Sequence, residues 1–236
     1  LMALEEFGIT VVTRYDSAYP ENLQAISDAP PVLFQNGNFL PEDSRAVAVA
    51  GTRKPSKEGV ETATELAYGL AKRGFTIVSG LALGIDTAAH EGALKANGRT
   101  IAVLGSGIKN IHPRRNSGLA EEICQSGAIF SELHPSTKPS RGALMSRDRI
   151  VSGLALGTII VEADENSGSM DTAKRTKKQG RKLFAFVNKS NGNQKLLDEG
   201  AFPVENVSPK TFDSITENLT MKNIDRESTD YQPSLF

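Results

Sequence analysis

The chain has 236 residues, a net charge of −1, one cysteine and no tryptophan, a length that can bury a core of ordinary size. It contains no run approaching the ~18 apolar residues of a membrane span and no charged-then-apolar leader, which leads us to expect a soluble, cytoplasmic protein without a membrane partner. The single cysteine, Cys124, excludes an internal disulfide framework and suits a reducing compartment.

Residues 1–44 read as an N-terminal extension. Its stretch SAYPENLQAISDAPPVLFQNG combines a short helical piece with a proline-limited extended piece expected to pack on a sheet edge. Residues 45–220 alternate two kinds of segment. AVAVA, FTIVSG, TIAVLG, AIFSE, TIIVEA and LFAFV are strand-length and uniformly apolar, as strands covered on both faces are. Between them, Val60, Ala63, Leu66, Ala67, Leu70 and Ala71 recur at helical spacing before Gly74, and a second helix around Ala93 and Leu94 closes at Asn97-Gly98. LAEEICQSG reads as a helix carrying Cys124 as a structural thiol. A further helix opens in SGSMDTA and ends in the cationic run KRTKKQGRK, where positive charge complements the helix dipole. NQKLLDEG and SPKTFDSITENL read as two small helices, and residues 221–236 as a disordered polar tail. Repeated strand, helix, strand means an α/β fold with a mostly parallel sheet and right-handed crossovers.

The small net charge hides an asymmetry. Between Ala46 and Ser190 there are 21 basic and 13 acidic residues, a local +8, against 6 and 15 elsewhere, a local −9. Ligands of open parallel sheets sit outside the carboxyl ends of the strands, and the loops expected there are rich in glycine, hydroxyls and cations. GTRKPS brings Arg53 and Lys54. SGLALGID brings Ser79, Gly80 and Gly84, with Asp86 placed to cap the following helix. LGSGIKN brings Gly105 and Gly107, and HPRRN brings Arg114, Arg115 and Asn116. SRDR contributes Arg147 and Arg149, and SGSMDTA contributes Gly168, Ser169 and Thr172 beside Ser167. A glycine loop feeding a helix amino terminus presents unpaired N–H groups next to a positive dipole end. Several such cradles on one rim suit a ligand with several phosphates. The loops match neither the dinucleotide fingerprint nor the P-loop, so no cofactor is expected. Catalytic groups are sparse: His90, His112 and His134 have no metal-ligand spacing, and Glu162, at the end of TIIVEA, reads as a hydrogen-bonding strut.

Taken in order, VAVAGTRKPSKEG, GFTIVSGLALGIDTAAHEGAL, GRTIAVLGSGI, HPRRNSGLAEEI, GAIFSELHP, SRDRIVSGLALGTIIVEADENSGSMDTA and QGRKLFAFV resemble the DNA-processing protein A (Smf) family of bacterial recombination mediators. The resemblance covers the chain from about Tyr15 to about Ala201. It implies an extended, three-layer Rossmann-like fold that binds single-stranded DNA in a basic pocket, assists loading of the RecA recombinase, serves natural transformation and forms a homodimer. By motif, it implies that Arg53 binds a phosphate, that Ser79, Gly80 and Gly84 line the phosphate cradle, and that Arg147 and Arg149 complete its wall. Arg115 and Asn116 would be further contacts. It implies no enzymatic activity. The chain departs from the family at Asp148, where an asparagine is usual, and at His112, where a tyrosine is usual. Two other readings of the same rim are a nucleotide-ligand sensor and an enzyme similar to the nucleoside-monophosphate phosphoribohydrolases, in which Glu162 would assist base release; SGSMDTAK lacks the glutamate of their GGxGTxxE loop.

Overall fold

The computed structural model describes residue 4 and residues 6–220; the tail expected over residues 221–236 lies outside them. In chain order the strands are β1 (Ile9–Thr13), β2 (Val32–Gly37), β3 (Ala46–Ala50), β4 (Thr76–Ser79), β5 (Thr100–Val103), β6 (Ala128–Ser131), β7 (Gly157–Ile160), β8 (Lys182–Phe186) and β9 (Phe202–Val204). The helices are α1 (Glu21–Gln24), α2 (Lys57–Ala71), α3 (Ile85–Lys95), α4 (Ser117–Ser126), α5 (Arg141–Ser146), α6 (Asp148–Leu154), α7 (Gly168–Lys178), α8 (Asn191–Asp198) and α9 (Pro209–Thr220). None of the described helices is long and apolar enough to cross a membrane.

All nine strands join one sheet in the order β1-β2-β6-β5-β4-β3-β7-β8-β9. The seven from β6 to β9 are parallel, and β2 and β1 continue the β6 edge in the antiparallel sense. The alternation inside each apolar run assigns the two faces. Val47, Val49, Ile77 and Ile159 pack under α2, α3 and α9, whereas Ala46, Ala48, Val78 and Val103 pack under α1 and α6. Because both faces are covered, the central strands carry no polar alternation, which is why the segments read as continuous apolar runs. Ala102 and Ile129 continue the first face under α4, and Ile160 and Ala185 continue the second under α7 and α8.

Local rules account for most boundaries. Ser56 caps α2 by accepting a hydrogen bond from the Gly59 amide at 2.9 Å. Gly74 follows α2, and Asn97 follows α3, each with positive φ. Elements absent from the sequence reading are the short edge strands β1 and β9 and the helices α5 and α6. α5 opens on Ser140, whose hydroxyl accepts from the Ala143 amide. Its run RGALMS has no buried residue, so it lacks the apolar stripe that a periodicity reading needs.

Before β3, a short 3-10 turn places Asp43 under the sheet edge. Its carboxylate is fully buried and accepts two Arg99 contacts at 2.7 Å, the Thr76 hydroxyl at 2.6 Å and the Leu40 amide at 2.8 Å. This pins the entry of β3 to β4 and β5. Removing one partner of a buried pair leaves the other uncompensated. Asp43→Ala is therefore expected to lower unfolding stability by about 3 kcal/mol, read as a drop in the denaturant midpoint at unchanged slope.

Candidate nucleic-acid interface

From β3 the chain builds β4, β5 and β6 on one side, then crosses to build β7, β8 and β9 on the other. The loops after β3 and β7 therefore part at their carboxyl ends and leave a crevice at the topological switch point. A cleft of about 680 Å³ lies there, within the range of small-ligand sites. One wall is Ala50–Lys54, the other is formed by residues 166–172, and α5 and the start of α6 close it over the ends of β4 and β5.

The structure brings Arg53, Lys54, Gly80, Arg147, Gly168, Ser169 and Thr172 together around this cleft. Arg53 and Lys54 are exposed and form no ion pair among the described residues. Arg141, which the sequence reading did not select, joins them from the start of α5 in the same unpaired, exposed state. Its only sequence signal was the Ser140 cap that begins a short helix beneath it.

Arg147 is different in kind. It is 4% exposed, its Nη1 donates to the Val103 carbonyl at 2.7 Å, and its Nε lies 3.0 Å from an Asp148 carboxylate oxygen. A Cβ at position 80 would overlap the guanidinium, so Gly80 lets the arginine lie against bare backbone. Arg147 thus forms the floor, and the exposed cations form the rim.

The SGLALGID cradle is already filled. Asp86, the first-turn acid of α3, accepts from the amides of Gly80 at 3.2 Å and Ala82 at 3.3 Å. The Ile85 amide donates to the Thr52 carbonyl. These backbone donors are spent on the chain's own carboxylate and carbonyl. Ser79 is likewise committed, donating to the Val49 carbonyl at 2.7 Å, and Gly84 packs against Thr52 and Pro55. The cradle that remains open is the start of α7. Ser167 gives it no side-chain cap, its hydroxyl pairs with that of Ser169 at 2.7 Å, and the space beyond Gly168 is empty. A helix start in this condition attracts anions.

Five other expected residues fall outside the cleft. Arg149 forms a bidentate pair with Glu132, at 2.9 and 2.6 Å, which corrects the expectation that it stands beside Arg147 in the wall; a side chain two residues further along a helix points to nearly the opposite side, about 200° round. Asn116 is buried and clamps the 81–87 loop, donating to the Leu81 carbonyl at 2.9 Å and the Thr87 hydroxyl at 2.8 Å. Gly105 and Gly107 meet Leu144 and the His134–Pro135 backbone, so their missing side chains serve chain-to-chain approach. Arg115 is exposed but lines no part of the cleft.

Carboxylates also line the site. Burial pushes Asp86 above the usual carboxylate range, against the pull of Arg147. Asp148 is pushed up to about 6, chiefly by burial, with Asp86 and Asp171 raising it further and Arg147 and Arg53 opposing. His90, beneath the cleft, is fully buried, hydrogen-bonded through Nδ1 to Thr100 at 2.7 Å and held neutral, its pKa lowered to about 3. Glu162 lies outside the cleft as a strut, accepting from the Ser56 amide at 3.0 Å and its hydroxyl at 2.7 Å. Cys124 is half-buried with its thiol raised to about 11 by burial, the mark of an unreactive cysteine. The lysine-rich end of α7 is partly neutralised, since Arg175 pairs with Asp171 and Lys177 with Glu199, while Lys174 and Lys178 form no ion pair among the described residues. Among the described residues no group of three His, Cys, Asp or Glu side chains is arranged to hold a metal.

The chain is 36% identical over 230 residues to the DNA processing protein DprA of Bacillus subtilis, covering 95% of this chain and 76% of that protein. The structure superposes on DNA processing protein A of Streptococcus pneumoniae with a TM-score of 0.80 at 38% identity, covering 84% of this chain and 72% of the other. It superposes equally well, at 32% identity, on DNA processing protein A of Helicobacter pylori, covering 89% and 97% of the two chains; that protein is described with a single-stranded DNA binding mode. Across the curated relatives that it matches, the chain spans between 42% and 76% of their length. The family model for DNA recombination-mediator protein A matches residues 10–216. That match takes in the switch-point cleft and every strand but the first residue of β1, and the chain belongs to the DNA recombination-mediator protein A family.

Proposed function

We propose that this protein binds single-stranded DNA in the switch-point cleft and acts in DNA processing and recombination. The observation that carries this reading is the set of exposed cations without ion pairs among the described residues, Arg53, Lys54 and Arg141, facing an open helix start across one cleft. Phosphates would sit between the rim cations and the amides of Gly168 and Ser169, while Arg147 stiffens the floor and adds its field. Among the described residues no Phe, Tyr or Trp lines the cleft, so backbone contact outweighs base stacking and binding is tolerant of sequence. Family membership supports further parts of the proposal: assistance in loading RecA, a role in natural transformation, a cytoplasmic location and action as a homodimer. Co-elution of the protein with RecA on single-stranded DNA, lost when the DNA is omitted or when RecA is, tests the first of these.

Neutralising phosphates releases counterions, so affinity should fall steeply with salt, by a slope of about −0.7 per phosphate contact on a single strand. Arg53→Ala is expected to weaken binding to all sequences alike and to reduce that slope by about 0.7, measured by fluorescence anisotropy across a salt series. A wild-type protein that binds no single strand at low salt refutes the reading.

Asp148 adds a pH dependence. Its neutral form tolerates a neighbouring phosphate and its charged form repels one, so affinity should fall as pH rises through about 6. Asp148→Asn holds the neutral form and should flatten that fall. The folded-state pKa lies above the ordinary aspartate value of 3.8, so the native state keeps a proton that the unfolded chain releases. Stability then declines as pH rises from about 4 to about 6. Asp148→Asn should stabilise the protein at about pH 7.5 by on the order of 1–3 kcal/mol and scarcely at about pH 4, read from thermal unfolding.

A further inference from the structure

A second cleft, of about 860 Å³, lies between the loops that follow β5 and β6 and the start of α4. Lys109, Arg114 and Lys138 line it, all exposed and without ion pairs among the described residues. His112 and Pro139 line both clefts, so the two meet at that pair as one trough.

The wall of the second cleft is built. The Gly107 amide donates to the Thr137 carbonyl at 2.9 Å and the Lys109 amide to the Pro135 carbonyl at 3.0 Å. The Ser106 hydroxyl donates to the Asn110 carbonyl at 2.7 Å, and the Ser131 hydroxyl to the Ser106 carbonyl at 2.8 Å. Gly107 allows this lacing, because any side chain there would strike the His134–Pro135 backbone. Lys109 is steadied over the Phe7 ring, its Nζ 3.3 Å from the centroid.

The two clefts differ in charge. In the first, Arg53, Lys54, Arg141 and Arg147 face Asp86, Asp148, Asp164 and Asp171; in the second, three cations face Glu121 alone among the lining residues. A polyanion that enters the first cleft therefore gains more neutralisation per phosphate by continuing into the second. We infer that the second cleft is a further binding site for single-stranded nucleic acid. The strand leaves the switch-point cleft over His112 and Pro139, and Lys109, Arg114 and Lys138 neutralise its next phosphates. This rests on the reading of the first cleft as a single-strand site. The cleft is lined by no Phe, Tyr or Trp among the described residues and by one imidazole, His112, so the contact is chiefly to backbone and tolerant of base sequence.

Oligothymidylates of two lengths, about four and about sixteen nucleotides, separate the two sites by anisotropy at low salt. The triple variant Lys109→Ala, Arg114→Ala, Lys138→Ala should lose at least about tenfold in affinity for the long strand and about 2 in salt slope, with the short strand unaffected. Arg53→Ala should weaken both lengths. Lys138→Glu, a single exposed change, should reproduce the length-selective loss and guards against misfolding of the triple variant. If the variants bind the long strand as the wild type does, or lose both lengths equally, the second cleft is not part of the track while the first-cleft reading stands. If the wild type binds neither length, both readings fall together.

Discussion

A guanidinium buried at the bottom of a cleft has to find partners, and in this protein the arrangement around Arg147 sets the site. Its Nη1 meets the last carbonyl of β5, its plane lies against the backbone of Gly80 after β4, and its Nε faces Asp148 at the start of α6. One side chain thus joins two strand ends to the helix that crosses to the other half of the sheet. Unpartnered, a charge this buried would cost several kcal/mol, so the Val103 carbonyl and the Gly80 approach are conditions for the fold as well as for the cleft. Asp86 and Asp148 in turn bring negative charge under an anion site, and their raised pKa values follow from that burial.

The same constraint decides which anion cradles are free. A glycine loop before a helix has spare amides wherever it occurs, and by composition the SGLALGID and SGSMDTA loops were equivalent. In the first, Asp86 reaches back to the Gly80 and Ala82 amides, as an acid in the first turn of a helix commonly does. In the second, the first-turn acid Asp171 turns to Arg175 instead, and the helix start stays open to the cleft. The difference lies in what each carboxylate finds within reach, the amides of its own preceding loop on one side and an i,i+4 arginine on the other.

Cations sort in the same way. Arg53, Arg115, Arg147 and Arg149 look alike in the chain, yet one stands free at the rim, one is exposed away from it, one is buried beneath it and one is bound to Glu132. Their availability depends on partners distant in sequence. Glu132 is seventeen residues from Arg149, and the carbonyl held by Arg147 is forty-four residues away. The helix α5, which carries Arg141 and leads into Arg147, was also illegible, because it buries nothing and leaves no apolar period.

By itself the sequence determined the layers, the parallel core strands, their crossovers and the family, because these rest on short-range signals: apolar runs covered on both faces, helical spacing, capping residues and ordered motifs. It also placed Arg53, Lys54 and the α7 start together on the rim where the switch-point cleft lies, since strand ends and the loops after them follow from chain direction. Only the tertiary structure decided which donors and cations are left unspent, how the switch point opens a cleft between β3 and β7, and that a second basic cleft adjoins it. Those outcomes depend on pairings between loops far apart in the chain, and hydrogen-bond and charge satisfaction is settled by three-dimensional neighbours that no local pattern records.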